Sequence, residues 1–447
     1  MNRRSEDVLI HPLSYVREVR GWTYQDVVDV VAKRLRNAAA RREKAWRWEH
    51  RGVVPDLPSQ LALAAELEVS ADRVTTLGWP GWLPDGDPIP ACFPWNVHGS
   101  LQSLEHALEH AVLDRRGFMK LTGPVLIGLA HDWLNIETPA LTSVLAGGRA
   151  SDELVTQMEE GLPRLRALEA AAGGERARRL MDAELSIVTE ILAKSSYSAA
   201  AGRRLHRLAA ELGRIAGFAS FDAGLHAAAQ RYWLSALHAA HTSDDRAIGA
   251  NILKSMSLQC YDFGRLQEAL GLAVSAAEGA VRAAPRTEAM LMLRQARAEA
   301  ALGNRAACDR ALVSADRAFG RISVTDAEPS WTKYFDEAEF HAQVGTCHLD
   351  LQRASEAERS FTTALALMPD NKVRDRATYI VRASSAQVLL GETEQAAELL
   401  TSALDLIHEA PSQRNIVRAL RVREKLQLAK SDHRLIYLDS QLATLTA

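Results

Sequence analysis

The 447-residue sequence predicts an all-α chain: a short N-terminal helical module followed by a long array of helical hairpins. Three observations predict it. Ala- and Leu-rich stretches carry apolar residues at helical spacing and contain few β-branched runs. A four-position pattern of small and bulky residues recurs along the second half of the chain. The charge is divided: residues 1–52 hold 12 Lys/Arg against 7 Asp/Glu, whereas the whole chain stands at −3. A basic head on an acidic body suggests that the head meets a polyanion and the body does not.

Composition narrows the classes. A hydrophobic content of 47% supports large buried cores, and a charged content of 24% is ordinary for a folded chain. Cys92, Cys260, Cys308 and Cys347 are far apart and form no CxxC pair. This argues against a disulfide framework or zinc ribbon and fits a reducing cytoplasm. No run of about 18 apolar residues occurs, so no membrane partner is expected.

The head is read helix by helix. Leu13, Val16 and Val19 share one face of a first helix. After Gly21-Trp22, Thr23 is an N-cap with Asp26 at the capping-box position. Val27, Val28, Val31 and Leu35 then form the buried stripe of a second helix. In "AARREKAWRWEHRGVVPD", Ala45 and Trp48 can share a buried face, with Arg41, Arg42, Lys44 and Arg47 mostly opposite and Gly52 as the stop. "LPSQLALAAELEV" gives another amphipathic helix through Leu61, Ala64, Ala65 and Leu67. Several short helices with one basic, aromatic-bearing helix among them fit a helix-turn-helix module whose basic helix enters the major groove.

"AWRWEHRG", a following Pro and "LALAAELEV" resemble the Cro/cI-type (XRE) helix-turn-helix family, in its high-GC Gram-positive form, over about residues 10–75. The segment between the second and third helices is longer than in compact members. The resemblance implies that Arg42, Lys44 and Arg47 face bases or the groove, and that Thr23, Tyr24 and Gln25 anchor phosphates. A helix N-terminus suits phosphate in any case. Arg41 and Arg51 complete the expected DNA-binding set. Trp48 and Glu49 resemble internal positions that pack and salt-bridge the module; Trp46 is expected to be more exposed. The bland alternative is a solvated charged helix.

Residues 76–135 are expected to be a linker with connecting helices. "GWPGWLPDGDPIPACFPWNVHG" is rich in helix-ending residues, and Trp79, Trp82 and Trp95 are too apolar to be left in water. Similar regulators carry a related W-x-x-W-L-P stretch. Leu101, Leu104, Leu108 and Val112 form the stripe of a helix that also holds His106, Glu109 and His110. That HxxEH spacing matches a zinc-protease motif, but no third ligand or cleft accompanies it, and a solvent-facing polar stripe explains it as well. Asp114–Leu134 contains Arg115-Arg116 before a short apolar run, like a twin-arginine export signal. It lies 114 residues into the sequence and is interrupted by Gly123-Pro124. It is therefore read as a joining segment capped by Asp114, with Leu126, Leu129, Ala130 and Trp133 packing on the first repeat.

Residues 136–447 form the repeat region. Gly345, Ala357, Phe361, Ala364 and Pro369 have the spacing of the tetratricopeptide (TPR) signature, which this region resembles. Its core recurs at Gly224/Ala229/Trp233/Ala236, Gly264/Ala269/Ala273/Ala276, Gly303/Cys308/Leu312/Ala315 and Gly391/Ala396/Leu400/Ala403. The copies start 40, 39 and 88 residues apart, and a copy from Gln352 to Ala364 lies inside the last interval. The period is longer than the roughly 34 residues of the standard repeat. Residues 151–200 should add one or two degenerate pairs. The implied fold is a TPR-like α-solenoid whose first helices line a concave surface. Arg214, Asn251, Lys254 and Arg297 are candidates to face it and touch a ligand.

A Cro/cI-type head on a TPR body resembles the peptide-pheromone receptors of Gram-positive bacteria (the RRNPP-like architecture). It also resembles TPR regulators of development and antibiotic production in filamentous high-GC bacteria. The resemblance implies a cytoplasmic, homodimeric, sequence-specific transcriptional regulator with double-stranded DNA as partner. A short peptide, small molecule or protein partner would act on its TPR domain. The competing reading is a TPR interaction scaffold. No P-loop, GxSxG, CxxC or GxGxxG after a strand is present, so no enzyme, cofactor, catalytic residue or metal is expected.

Overall fold

Every regular element among the described residues is a helix. The computed structural model describes residues 11–35, 41–67, 69–83, 93–110, 150, 152–172, 174–280, 282–323, 328–428 and 432–446. Asp114–Leu134 and Val112 lie outside them. The chain forms two compact units, the first built from residues before Pro90 and the second mainly from residues after Ala91.

The first unit holds α1 (Pro12–Arg20), α2 (Tyr24–Leu35), α3 (Arg42–His50), α4 (Leu57–Glu66) and α5 (Ala71–Leu77). Thr23 N–H and Oγ1 both donate to Asp26 Oδ2 at 2.7 Å, and Asp26 N–H donates back to Thr23 Oγ1 at 3.3 Å, which starts α2 with a reciprocal cap. Gly52, with φ of +61°, lets the chain turn off α3. Asp56 caps α4 by accepting the Ser59 N–H at 2.9 Å. Leu13, Val16, Val27, Val28, Val31, Ala45, Trp48, Leu63 and Val74 make one core.

Two expected stripes are corrected. Leu35 is 40% exposed, because the buried face of α2 ends one turn earlier at Val31. In α4 Ser59, Gln60, Ala62, Leu63 and Ala64 are buried, as is Leu67 just beyond it; Leu61 is half-buried, and of the expected stripe only Ala65 faces solvent. The polar Gln60 is buried because its groups are satisfied: its amide donates to Pro55 O at 2.7 Å, and its Oε1 accepts Trp82 Nε1–H at 2.9 Å. Trp79 and Trp82 thus belong to the core of the head rather than to a linker.

The second unit starts with Phe93, Trp95 and α6 (Val97–His110), followed by α7 (Asp152–Ala172) and α8 (Gly174–Lys194). Five hairpins come next: α9 (Ala199–Asp222) with α10 (His226–Thr242), α11 (Arg246–Asp262) with α12 (Leu266–Gly279), α13 (Pro285–Ala301) with α14 (Arg305–Phe319), α15 (Glu337–Asp350) with α16 (Ala354–Leu367), and α17 (Val373–Leu390) with α18 (Thr393–Glu409). A last pair, α19 (Gln413–Lys425) and α20 (His433–Thr446), packs on α17 and α18. The helices stack in a solenoid-like arrangement. Between α14 and α16 the turn-to-turn interval widens, and the extra chain carries a short 3₁₀ turn at Ser330–Thr332.

The recurring residues have two structural jobs. Gly224, Gly264, Gly303 and Gly391 occupy left-handed turns with φ between +70° and +83°, and Gln352 takes the same place with φ of +59°. Gly345 has a different job from these turn residues: its small size allows the close approach of two helices, as expected of a small residue in the signature. It sits inside α15, seven residues before that turn, and its counterparts are Gly217, Ser257, Ala296 and Ser384. Gly217 and Gly345 stand against the bulky Trp233 and Phe361, where an added Cβ would come within 2.4 Å and 3.0 Å of the ring. Where Ser257 and Ser384 take this place, the residues nine beyond the turn are the smaller Ala273 and Leu400, and the serine hydroxyls donate to Ala269 O and Ala396 O at 2.7 and 2.6 Å. Volume is traded across each hairpin so that close packing is kept.

Candidate functional sites

In the head, α3 separates apolar from basic residues by helical phase. Ala45 and Trp48 are buried, whereas Arg41, Arg42, Lys44, Arg47 and Arg51 are exposed. None of these five cations forms an ion pair among the described residues. Lys44 Nζ lies 5.5 Å from the Trp48 ring centre, and Arg51 lies 5.6 Å from that of the exposed Trp46. Glu49 is the internal tie. Its carboxylate, 4% exposed, accepts from Arg17 Nε at 2.8 Å, Ser14 Oγ at 2.7 Å and Tyr24 Oη at 3.1 Å. Burial pushes its carboxyl up, but Arg17 and the two hydroxyls outweigh this and hold it below the usual carboxylate range. These bonds fix α1, α2 and α3 to one another.

Thr23 is exposed at the start of α2. Tyr24 is half-buried; its hydroxyl meets Glu49 and lies 2.8 Å from His50 Nε2, and its ring lies 3.8 Å from the Arg17 guanidinium. The Gln25 amide donates to Asp29 Oδ1 at 2.8 Å.

In the second unit the first helices of the hairpins turn charged residues toward one another. Arg374 on α17 meets Glu169 at 2.9 Å and Asp222 at 3.4 Å. Arg414 on α19 bridges Asp222 at 3.4 Å and Asp262 at 3.3 Å, and Arg418 binds Asp262 at 2.7 Å. Tyr261 Oη donates to Asp350 at 2.8 Å. Burial raises the Asp262 carboxyl, but Arg418 and Arg414 prevail and it ends well below the usual range. A cavity of about 410 Å³ opens beside these groups, lined by Tyr261, Asp350, Arg382, Ser385 and Arg421 among others. The expected open concave surface is therefore partly bridged by ion pairs between helices far apart in sequence.

All four ligand candidates from the sequence lie on these first helices. Asn251 and Lys254 share α11 and are buried. Lys254 Nζ is 2.5 Å from Tyr334 Oη and 3.3 Å from Met290 Sδ. Arg214 lies on α9 and feels the charge of Glu169 and Tyr334. Arg297 lies on α13, 4.1 Å from the Tyr261 ring centre, and donates to Gln343 at 3.3 Å. It feels the charge of Asp262 and Asp350, which line the cavity, whereas Arg214 and Lys254 are electrostatically coupled to each other. The sequence reading missed Arg294 and Tyr334. Arg294 precedes Arg297 by one helical turn, a usable signal. Tyr334 sits in the extra chain between α14 and α15, where only the widened repeat interval marks it.

His106 of the HxxEH stretch is half-buried with its ring 6.0 Å from Phe93, and the side chains of Glu109 and His110 lie outside the described residues. Among the described residues no His, Cys, Asp and Glu group could hold a metal ion, and no helix is long and apolar enough to cross a membrane. Neither protein-family models nor curated proteins give a match to this chain.

Proposed function

We propose that the chain is a sequence-specific DNA-binding transcriptional regulator: a Cro/cI-type helix-turn-helix head in which α2 and α3 form the motif, carried by a TPR-like sensor. One observation supports it above the others. Helix α3 and its two flanking residues present five exposed cations, none in an ion pair among the described residues, while Ala45, Trp48 and Glu49 are committed to the head's interior. A helix so divided can lay its polar face in the major groove, with Arg42, Lys44 and Arg47 toward base edges. Arg41, Arg51 and Thr23 are placed to meet phosphates, and Gln25 with the N-terminus of α2 serves the same end. Tyr24 supports this by holding His50 and Glu49 rather than by lying free at the surface. The protein works in the cytoplasm as a homodimer, so its operator has two-fold symmetry.

The test is selection of fragmented genomic DNA by the full-length protein, followed by a salt titration on the selected sites. With Arg41 and Arg51 of each head on phosphates, a dimer makes about four such contacts, and log K falls against log salt with a slope of about −4. Arg47→Ala should relax discrimination at one base position by about 1–3 kcal/mol. Unchanged affinity and specificity in that variant would remove α3 from the interface.

A further inference from the structure

Two sets of cations on the inner helices of the second unit differ in their partners. Arg374, Arg414 and Arg418 each have a carboxylate partner. Arg214, Lys254 and Arg294, farther from the turns on α9, α11 and α13, form no ion pair among the described residues. Lys254 and Arg294 are each only 8% exposed. Arg214 Nε, Arg294 Nε and Nη1, and Asn251 Oδ1 are buried without a hydrogen-bond partner among the described residues. Glu339 is the carboxylate that acts on both Lys254 and Arg294. It is already held by Tyr379 Oη at 2.7 Å and the Gln343 amide at 2.8 Å.

Such a cluster is costly as it stands. Each ion has lost its water, and like charges face each other. The effect shows on the groups themselves. Burial, then Arg294 and Arg214, push the Lys254 ammonium well below its ordinary value. Burial, then Arg297, push Arg294 down to about 10. The neighbouring group of arginines shows that this fold can supply carboxylates to buried cations, yet here it supplies a phenol and a thioether. The side chain that supplies the phenol, Tyr334, is 41% exposed as a residue while its hydroxyl reaches Lys254. The cluster therefore borders solvent at the extra chain between α14 and α15.

We propose that Arg214, Lys254 and Arg294, with Asn251 and Tyr334, bind a small ligand through an oxyanion, a carboxylate or a phosphate. The oxyanion takes the place of the Tyr334 hydroxyl beside Lys254 and supplies the missing negative charge to all three cations. The guanidinium of Arg294 offers the fork geometry that such groups accept. Asn251 Oδ1, an acceptor without a donor, adds a requirement: the ligand carries an O–H or N–H beside its anionic group. The inference rests on the sensor reading above only for what the ligand regulates. Binding itself is independent of DNA.

The experiment uses the full-length protein with inorganic phosphate and with succinate, each against chloride at matched ionic strength. Thermal unfolding and titration calorimetry are the readouts. Wild type should gain melting temperature with at least one of the two anions, and the anion that works identifies the oxyanion class. In Lys254→Met, affinity for that anion should fall at least tenfold, while the free variant melts at or above the wild-type temperature because a costly buried charge is gone. Arg294→Met provides the same test from another helix. If neither anion stabilises beyond chloride, or if both variants respond as wild type does, the site is refuted. A failed DNA selection would leave a positive anion result standing, and a failed anion titration would leave the DNA reading standing.

Discussion

Gly217→Ala tests the trade of volume across the hairpins most directly, because two known effects oppose each other. Replacing a glycine inside a helix by alanine ordinarily stabilises by about 1 kcal/mol. Here the new Cβ would lie 2.4 Å from Cδ1 and Nε1 of Trp233, against a ring that is fully buried. The ring would have to move, and its Nε1–H bond to Arg214 O, 3.2 Å long, would be lost or stretched. Overpacking costs about 1–3 kcal/mol and the hydrogen bond about 1 kcal/mol more. The clash wins, for a net loss of about 1–3 kcal/mol. Trp233→Leu removes the obstacle and recreates the Ala296 and Leu312 combination of the third hairpin, but alone it leaves a cavity and costs about 2–4 kcal/mol. The double variant should therefore be more stable than the sum of the singles by about 2–4 kcal/mol. Urea unfolding of the four proteins, followed by circular dichroism and by hydrogen exchange in α9 and α10, gives the cycle. Exchange is included because stacked hairpins need not unfold in one step. Additivity to within about 0.5 kcal/mol would refute the pairing of these positions.

Two further outcomes follow from the second unit. Gln352→Gly should stabilise by roughly 0.5–1 kcal/mol: it relieves a left-handed conformation that costs a side chain about 1–2 kcal/mol, less the entropy glycine adds to the unfolded chain. A lower urea midpoint would count against it. Acid should loosen the docking of α6. His206, fully buried beside Ser100, is pushed down to about 4 by burial, and His238, stacked 4.0 Å from Trp95, is pushed down to about 3 by burial and then by His241. The unfolded chain takes up protons near pH 6.5 while the folded one does not, so stability is lost as pH falls below about 6.5. Near pH 5 the loss is about 2 kcal/mol per histidine. Hydrogen-exchange protection of residues 97–110 should drop between pH 7 and pH 5, and equal protection at both would show that these rings are not buried neutral.

Much of the fold was legible in the sequence, and the exceptions have physical causes. The turns were readable because a left-handed residue between two helices selects glycine, which marks four of the five hairpins. The fifth has Gln352 there, the residue at which that copy of the pattern starts, and Gly345 makes room for Phe361 as a small residue between close helices should. In α4 the helix was clear but the burial of Gln60 was not. Gln60 counts as polar in any hydropathy pattern, and its inward place depends on Pro55 and on Trp82, a residue 22 positions away. On α3 the division into buried Ala45 and Trp48 and exposed cations followed from spacing alone, since residues three apart share a face.

The inner face of the repeats was harder to read, for a reason that bears on what it does. Spacing places Arg214, Asn251, Lys254 and Arg297 on first helices, but it cannot say which charges meet, because partners lie on helices far apart in the chain. Arg374 meets Asp222 152 residues away, and Arg414 meets the same carboxylate 192 residues away. Buried pairs of this kind add little net stability compared with well-packed apolar side chains, yet removing one partner costs about 3–5 kcal/mol. They act on geometry: a rearrangement that parted α9 and α11 from α17 and α19 would leave Asp222 and Asp262 uncompensated. Arg297 is where the two groups of charge join. It lies over Tyr261, feels Asp262 and Asp350, and lowers Arg294 from one helical turn away. An anion arriving at Arg294 reduces that repulsion and changes the balance around Asp262, which two residues of α19 hold in place. On the proposed reading, a charge bound among the first helices would thus act on the contacts that tie α19 to Asp222 and Asp262, with no ligand contact to α19 required.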